Sequence, residues 1–439
     1  MEDEYLRFGP EALRIELRQL ADAGRPVGEV VEDLETLATD MAADDRTYHE
    51  RARELLDRCE QLPSGHRTEP DTLAAIRQER PDGPRRFEAL SSPGHDALRG
   101  AWAGRCAGIR LGKPVETWTR EEVRRFLTTT DQSLDSYLRA DVAGSDEFAM
   151  DATGGWHDWV TGMPRDDDLD FTVVALETLR SCGKEFNTTD LAQVWLENLP
   201  VCKLHTAERV AYRNLLNAVD PPATARRWNP YRELIGAQIR ADCYGYVTPG
   251  APERAAELAF RDARLSHVAN GCYGAMWVAA MLAALPAVKN LQDAVAVGLT
   301  EVPTDSRLAA AINDVLGWRK AGIGFEAAID RIHATWDDAD FYEGYHVVPN
   351  AQVVAAVLAW AGSDPDLGTA LARAVGAGFD TDCNAGTIGS VVGFHLGFDA
   401  LPDEWVAPID GALSTALADR PRPWLEDLVT DTLAVARAS

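Results

Sequence analysis

The chain has 439 residues, of which 46% are hydrophobic and 26% are charged, and its formal net charge at pH 7 is −27. This length is sufficient for a large hydrophobic core and for more than one domain. The strong negative charge argues against binding to nucleic acid or to an anionic membrane surface, because both need clustered cationic side chains. It suits a site that collects divalent cations, whereas an anionic substrate would need a local group of arginines or amide donors.

The cysteine pattern and the N-terminus favour a cytoplasmic protein. The seven cysteines are scattered and include no Cys-x-x-Cys pair, so no zinc or redox motif is visible. The N-terminus is acidic and lacks the basic and apolar regions of a signal peptide. The most apolar run, residues 273–288, contains Pro286 and is shorter than a membrane span of about 20 residues. We interpret this run as a buried core helix.

Residues 1–66 are predicted to form an N-terminal helical extension. Apolar side chains recur at helical spacing in three stretches, which start near Pro10, Val30 and Ala52. Residues 62–67 have the composition of a linker. The sequence leaves three roles open for the extension, which are covering a cleft, self-association and binding a partner.

Residues 67–439 are predicted to form one all-α domain with its core at about 95–430. Ala- and Leu-rich helical patterns alternate with short loops, and alternating strand patterns are scarce. A short helix at 71–79, capped by Asp71, and a loop at 91–94 precede the core. The predicted core helices are 95–112, 119–127, 167–182, 189–198, 205–218, 229–241, 252–264, 267–288, 290–299, 305–320, 325–335, 347–362, 367–377, 383–396 and 408–436.

The first chemically notable segment is Asp166-Asp167-Asp168, which follows Pro164 and begins an apolar helical pattern. Crowded carboxylates repel one another unless they face water or share a cation. A solvated helix start explains the segment, since acidic residues there suit the helix dipole. One half of a hard-metal site explains it as well, provided that oxygen ligands come from elsewhere.

A second segment, Asp380-Thr381-Asp382, offers such ligands far downstream. Alternate carboxylates with a hydroxyl nearby suit Mg²⁺, Mn²⁺ or Ca²⁺. The residues that follow are small and compatible with a helix, so this pair is predicted to lie at a helix N-terminus. A simple N-cap aspartate is the alternative interpretation.

The third segment runs from Gly104 to Glu116 and is rich in glycines at helical spacing. Such glycines allow close helix packing, and Gly112 can end a helix. The segment is then either a packing helix followed by a turn, or a helix that presents Glu116 to a substrate on a short loop.

These segments occur in the order 108–116, 166–168 and 378–385, and they resemble the motifs of the ADP-ribosylglycohydrolase family. That family includes ADP-ribosylarginine hydrolase and dinitrogen-reductase-activating glycohydrolase. The resemblance covers about residues 95–430 and implies an all-α domain with two divalent cations in a central cleft, Mg²⁺ or Mn²⁺, with Ca²⁺ as an alternative. It implies a hydrolase that cleaves the N- or O-glycosidic bond of ADP-ribose on a protein or a small molecule.

The resemblance also implies roles for individual residues. Glu116 stands at the position of the family's catalytic glutamate and would move a proton. Asp167, as a metal-held carboxylate, would orient the attacking water. The implied metal ligands are Asp166, Asp167, Asp168, Asp380, Asp382 and Cys383.

Three positions depart from the family's pattern and predict an altered site. Asp166 and Cys383 each stand where threonine is common, and Ile109 stands where aspartate is common. A thiol is a poor ligand for Mg²⁺, so water or the added Asp166 carboxylate would compensate.

Two further loops resemble substrate-contacting parts of the family or carry a suitable spread of donors. One precedes the most apolar helix, and the other covers residues 344–350. Packing histidines and helix starts are the simpler alternatives for both loops. Together with the start of the last motif helix, they give the predicted substrate-binding residues His267, Asn270, Gly271, His346, Asn350 and Asn384.

Other functions remain open at the level of the sequence. A nucleoside-like metabolite is the alternative substrate, which would make the protein an N-ribosyl hydrolase of small molecules. A non-catalytic ADP-ribose-binding or structural protein of the same fold is a second alternative, against which the retained Glu116 and the aspartate motifs argue. A calcium-stabilised helical protein without a cleft is a third.

Overall fold

The computed structural model describes residues 8–40, 46–63, 65, 69–88, 93–151, 154–362, 364–409, 411 and 413–438. Parts of the predicted linker at 62–67 and of the predicted loop at 91–94 lie outside these ranges.

Helices joined by short loops and 3₁₀ turns make up the described part of the chain. Its only β-type pairings are isolated bridges, Met163 with Leu413 and Leu234 with His346, so the all-α prediction is confirmed. The helices are α1 (Pro10–Asp22), α2 (Val31–Asp40), α3 (Arg46–Gln61), α4 (Leu73–Glu79), α5 (His95–Gly112), α6 (Arg120–Thr130), α7 (Asp167–Cys182), α8 (Thr188–Asn198), α9 (Thr206–Leu216), α10 (Asp242–Tyr246), α11 (Pro252–Ala263), α12 (Ala269–Ala284), α13 (Leu291–Leu299), α14 (Arg307–Lys320), α15 (Phe325–His333), α16 (Phe341–Tyr345), α17 (Val347–Ala359), α18 (Leu367–Gly376), α19 (Thr381–Leu396), α20 (Asp403–Val406) and α21 (Leu425–Arg437).

The prediction of a helix at 229–241 is wrong. Only a 3₁₀ turn forms there, at Ile235–Arg240. The buried side chain of Asn229 donates to the carbonyls of Ala225 and Ser266 and accepts from the amide of Tyr231. These bonds from side chain to backbone hold the segment as a loop, because they compete with helical hydrogen bonds.

The prediction of one helix over 408–436 is also wrong, since α21 begins only at Leu425. Pro421 and Pro423 have no amide hydrogen to donate inside a helix. The chain instead doubles back, and the amide of Leu413 donates to the carbonyl of Pro423 over 2.8 Å.

The predicted cap of the short helix at 71–79 is corrected as well. Thr72 caps α4 by accepting from the amide of Ala75, whereas Asp71 accepts from the amide of Ala269 and pairs with Arg226. Asp71 therefore ties the segment before α4 to the start of α12.

The core is centred on α12, in which every residue is buried, as predicted for the most apolar run. Its neighbours include α11, α13 and α17. In the ranges described above, no helix combines the length and the apolar character that a membrane crossing requires.

Helices α5 and α19 touch along their backbones, and this contact positions the Asp380-Thr381-Asp382 segment beside the end of α5. A Cβ atom at Gly104 would lie 2.1 Å from the carbonyl oxygen of Gly389, and one at Gly108 would lie 1.9 Å from that of Ala385. At the end of α5, the carbonyl of Gly112 accepts from the hydroxyl of Thr381, over 2.9 Å. The C-terminal end of α5 therefore lies beside the N-terminal end of α19.

We expect Gly104→Ala to destabilise the protein by about 1–3 kcal/mol or more, because the new methyl group meets backbone that must move apart. Gly317→Ala is the matched control, since this exposed glycine within α14 has open space where its Cβ would lie. It should stabilise the protein by about 0.5–1 kcal/mol, because alanine favours the helix. Urea denaturation measures the change in the free energy of unfolding for both variants. If both variants change it in the same direction, the close-contact explanation is contradicted.

Helices α1–α3 form a small bundle that packs against the larger domain. Its apolar side chains share a cluster with Val210, Tyr231 and Tyr342. Buried polar contacts join the same surfaces, including an ion pair of 2.6 Å between Glu16 and Arg232. A domain boundary at residue 66 stays a prediction.

Candidate functional site

The two aspartate segments come together because α19 packs against α5 and Arg105 of α5 bonds the first turn of α7. Asp166 is the N-cap of α7, and its Oδ1 accepts from the amide of Asp168 over 2.9 Å. Asp380 is the N-cap position of α19, and its amide donates to Oδ1 of Asn350 over 3.2 Å. Helix N-termini carry partial positive charge, which favours carboxylates at these positions.

The acidic side chains form two groups that could each hold a metal ion. Asp166, Asp168 and Asp382 form one group, and Asp380, Asp382 and Cys383 form the other. Within each group the candidate ligand atoms lie within 4.8 Å of one another, and all five side chains are buried. Because Asp382 belongs to both groups, the predicted pairing of the two distant segments is present in the structure.

Burial and mutual repulsion perturb the protonation of these aspartates. The pKa of Asp382 is raised to about 6 by burial and by the charge of Asp166. Burial, together with the neighbouring charge of Asp382, raises the pKa of Asp380. Burial and the charge of Asp166 raise that of Asp168. Such carboxylates are strained as anions unless a cation lies among them.

Two cationic side chains already contact this cluster. The Lys113 ammonium lies 2.5 Å from Oδ2 of Asp166, and this contact keeps the pKa of Asp166 below its usual value although burial alone would raise it. Arg105 is completely buried and donates to the carbonyl of Asp168 over 2.9 Å and to Asp242 over 2.8 Å. Sequence reasoning missed both residues, although Lys113 lies within the first motif.

The donors that remain fit a hard divalent cation. Oδ1 of Asp380 and Oδ1 of Asp382 are buried and have no hydrogen-bond partner among the described residues, and each side chain belongs to a residue that is only 2% exposed. Carboxylate oxygens are the ligands that Mg²⁺ and Mn²⁺ prefer. The thiol of Cys383 instead donates to Oδ2 of Asp168 over 3.2 Å, and burial raises its pKa.

A cavity of about 910 Å³ opens next to the cluster. Its acidic lining residues include Glu116, Asp167, Asp168 and Asp380, so the two predicted catalytic residues both line it. The Glu116 side chain is 37% exposed and lies 3.7 Å from the Lys113 ammonium. The negative charge of Asp382, followed by burial, raises the pKa of Glu116.

The cavity is also lined by basic groups that the sequence did not reveal. Lys203, His205 and Arg209 line it, and their neighbourhood to the acidic motifs follows only from the fold. Helix α1 contributes Glu11 and Ile15 to the same cavity, so part of the N-terminal extension forms one of its walls. Its aromatic lining consists of Trp118, Phe171, Tyr231, Phe341 and Tyr345.

The six predicted substrate-binding residues do not line this cavity. Asn350 accepts from the side chain of Asn384 as well as from the amide of Asp380, so these two asparagines brace the start of α19. At the start of α12, the amide group of Asn270 donates to Glu233, and buried His267 contacts Ser266. A Cβ atom at Gly271 would lie 2.8 Å from the carbonyl of Arg232, so glycine permits that close approach.

His346, the remaining residue of this set, is completely buried and caps α17, where its Nδ1 accepts from the amide of Val348 over 3.2 Å. Burial is the main reason that its pKa falls to about 3. Below pH 6.5 the unfolded chain therefore takes up a proton that the folded chain does not, and stability is lost as pH falls.

We expect His346→Asn to remove this pH dependence while keeping the cap, because asparagine accepts the same amide and cannot titrate. The stability difference between wild type and variant should shrink by about 1.4 kcal/mol from pH 7.5 to pH 5.5. Urea denaturation in EDTA at both pH values measures it. A difference that stays constant would show that His346 titrates normally in the folded protein.

Comparisons with known proteins found one matching family and similar solved structures. A family model described as ADP-ribosylglycohydrolase matches residues 91–439. A solved structure described as an "ADP-ribosylglycohydrolase-related protein complex" is similar, with 18% identity and a TM-score of 0.46, over 78% of this chain and 98% of that chain. No curated protein matches the sequence. Because the family model spans well over half of the residues, the chain belongs to the ADP-ribosylglycohydrolase family.

Proposed function

We propose that this protein is a metal-dependent hydrolase that cleaves the N- or O-glycosidic bond of ADP-ribose, attached to a protein or to a small molecule. The observation that carries the proposal is a cavity whose lining combines residues of the aspartate cluster with Lys203, His205 and Arg209. In a chain with a net charge of −27, an anionic substrate needs such a local group of cations.

The two kinds of charged lining residue suit the two parts of an ADP-ribose group. A diphosphate would meet Lys203 and Arg209, because Lys and Arg side chains donate to phosphate oxygens. The ribose to be cleaved would lie near Glu116 and Asp167. Aromatic side chains such as Tyr345 and Phe341 offer faces on which a base can stack.

The acidic residues would act on a sugar that gains positive charge at C1′ in the transition state. Asp167 would orient the water that attacks C1′, and Glu116 would move a proton to or from the leaving group or that water. We propose that the aspartate cluster has two positions for positively charged groups, and that the metal bound in the cluster is Mg²⁺ or Mn²⁺. A bound divalent ion would supply Lewis-acid polarisation of ribose hydroxyls or water.

The presence of Lys203, His205 and Arg209 in the cavity lining favours a phosphate-bearing substrate over a neutral nucleoside-like metabolite. A panel of ADP-ribosyl-arginine, ADP-ribosyl-serine, O-acetyl-ADP-ribose and simple ribosides tests this distinction, with Mn²⁺ or with EDTA. We expect release of ADP-ribose from at least one of the first three, loss of release in EDTA, and slower cleavage of the ribosides. If no ribosyl bond is cut in the presence of Mg²⁺ or Mn²⁺, the proposed function is wrong.

A further inference from the structure

The two acidic groups that share Asp382 differ in how many of their carboxylate oxygens already accept a hydrogen bond or contact a cationic side chain. In the group of Asp166, Asp168 and Asp382, both oxygens of Asp166 have partners, since Oδ1 accepts from the amide of Asp168 and Oδ2 accepts from the Lys113 ammonium. Asp168 is engaged as well, because Cys383 donates to Oδ2 and the Arg105 guanidinium lies 3.5 Å from Oδ1.

The free acceptors of the cluster lie on Asp380, which belongs to the second group, and on Asp382, which both groups share. Oδ1 of Asp380 and Oδ1 of Asp382 are buried and lack a hydrogen-bond partner within the described part of the chain. The amide of Asp380 is fixed by Asn350, and the start of α19 is fixed by the bond from Thr381 to the carbonyl of Gly112. The two carboxyl groups also lie within hydrogen-bonding reach of each other, so they repel as anions unless a proton or a cation lies between them.

The position of the Lys113 side chain is fixed by the backbone around it and by its burial. Lys113 begins the 3₁₀ turn Lys113–Val115 directly after α5, and its side chain is only 13% exposed. Its stem packs at van der Waals distance from Gly155, where a Cβ atom would lie 3.6 Å from Cδ of Lys113. Gly155 has a φ of +75°, a conformation that favours glycine.

We propose that the protein binds one divalent cation, held by Asp380 and Asp382, and that the ammonium group of Lys113 takes the second cationic position of the cluster. An ammonium group has three donors and no acceptor. One donor bonds Asp166, and Lys113 also lines the cavity, so a further donor is available to a substrate hydroxyl. The inference rests on the metal centre of the proposed function and is independent of which bond is cleaved.

The stoichiometry of Mn²⁺ binding to the full chain tests the proposal. Wild type should bind one tight Mn²⁺ per chain, measured by equilibrium dialysis with elemental analysis. Lys113→Ala frees Oδ2 of Asp166 and should bind two, and the spin coupling of two close Mn²⁺ ions should change the electron paramagnetic resonance spectrum. Lys320→Ala removes the same charge from the exposed end of α14 and should leave one ion bound.

Two bound ions in wild type would overturn the proposal, and so would a single ion in folded Lys113→Ala. If that variant does not fold, Lys113→Met keeps the stem that packs against Gly155 and removes the charge. It should then bind two ions, and a single ion would count against the proposal. Two ions in an active wild type leave the proposed hydrolase intact, whereas one ion without any ribosyl cleavage contradicts the hydrolase and supports the role of Lys113. Failure to bind any ion contradicts both.

Discussion

The Asp382→Asn variant is expected to lose divalent-cation binding and ribosyl hydrolysis together. Asp382 is the one residue that both acidic groups share, and its Oδ1 is one of two oxygens in these groups that are buried without a hydrogen-bond partner among the described residues. Loss of a residue that only supports a metal ligand typically weakens affinity by about 10–100-fold, so the loss of Asp382 itself should exceed about a hundredfold. Isothermal titration with Mn²⁺ and an ADP-ribose release assay measure the two effects.

In the absence of metal, Asp382→Asn should be more stable towards unfolding than wild type, although it binds metal less well. Burial and the charge of Asp166 raise the pKa of Asp382 to about 6, so the folded protein becomes less stable as pH rises through that value and the carboxyl ionises. Asparagine removes this repulsion. In EDTA the variant should therefore unfold at a higher urea concentration than wild type, and the difference should be larger at pH 7.5 than at pH 5.

With saturating Mn²⁺ the order should reverse, because only wild type gains the binding free energy. Asp314→Asn makes the same chemical change on the exposed face of α14 and should alter neither metal binding nor activity. An Asp382→Asn variant that binds Mn²⁺ as wild type does would exclude Asp382 as a ligand. One that loses metal but keeps full activity would show that hydrolysis does not need the metal.

The sequence predicted the ends of the motif helices well because local signals mark them. Helix α7 begins after a Pro-Arg-Asp segment whose aspartate caps it, and α5 ends at Gly112, as the sequence indicated. The two helices that were predicted wrongly contain residues that compete with the helical pattern. These are a buried asparagine that bonds the backbone at 229 and two prolines before α21.

The site was predictable only where a motif carried it. Asp166, Asp168, Asp380 and Asp382 lie together as expected, whereas the predicted ligand Asp167 belongs to neither acidic group. Lys203, His205 and Arg209 of the cavity come from the segment around α9, which has no motif of its own. Periodicity also cannot distinguish a buried capping residue from a residue that contacts a ligand. His346 and Asn350 were predicted as substrate contacts because residues 344–350 carry a suitable spread of donors, and in the structure both are buried and bond the backbone near the start of α17.

In the Glu116→Gln variant, hydrolysis is expected to fall by about 10²–10⁴-fold while metal affinity stays within a few-fold of wild type. Glu116 lines the cavity and lies 3.7 Å from Lys113, but it belongs to neither acidic group. Glutamine keeps the size and the hydrogen-bonding capacity of the side chain and cannot transfer a proton. The matched control is Glu121→Gln, at an exposed position in the first turn of α6, which should retain full activity.

The protonation state of Glu116 should depend on whether a cation is bound at Asp382. The charge of Asp382 is the largest cause of the raised pKa, so a cation bound there should lower the pKa and favour the carboxylate. With metal bound, wild-type activity should therefore fall at low pH as Glu116 takes up a proton, if Glu116 acts as a base on water. Glu116→Gln should lack that part of the pH profile.

Substrates with different leaving groups distinguish this base from a general acid. A leaving group of low pKa departs without protonation, so a general acid at residue 116 would matter less for it, and the Glu116→Gln defect would shrink across such a series. A base that acts on water would give the same defect for each leaving group, as long as bond cleavage limits the rate. Unchanged turnover of every substrate by Glu116→Gln would remove Glu116 from the mechanism, whatever the metal content.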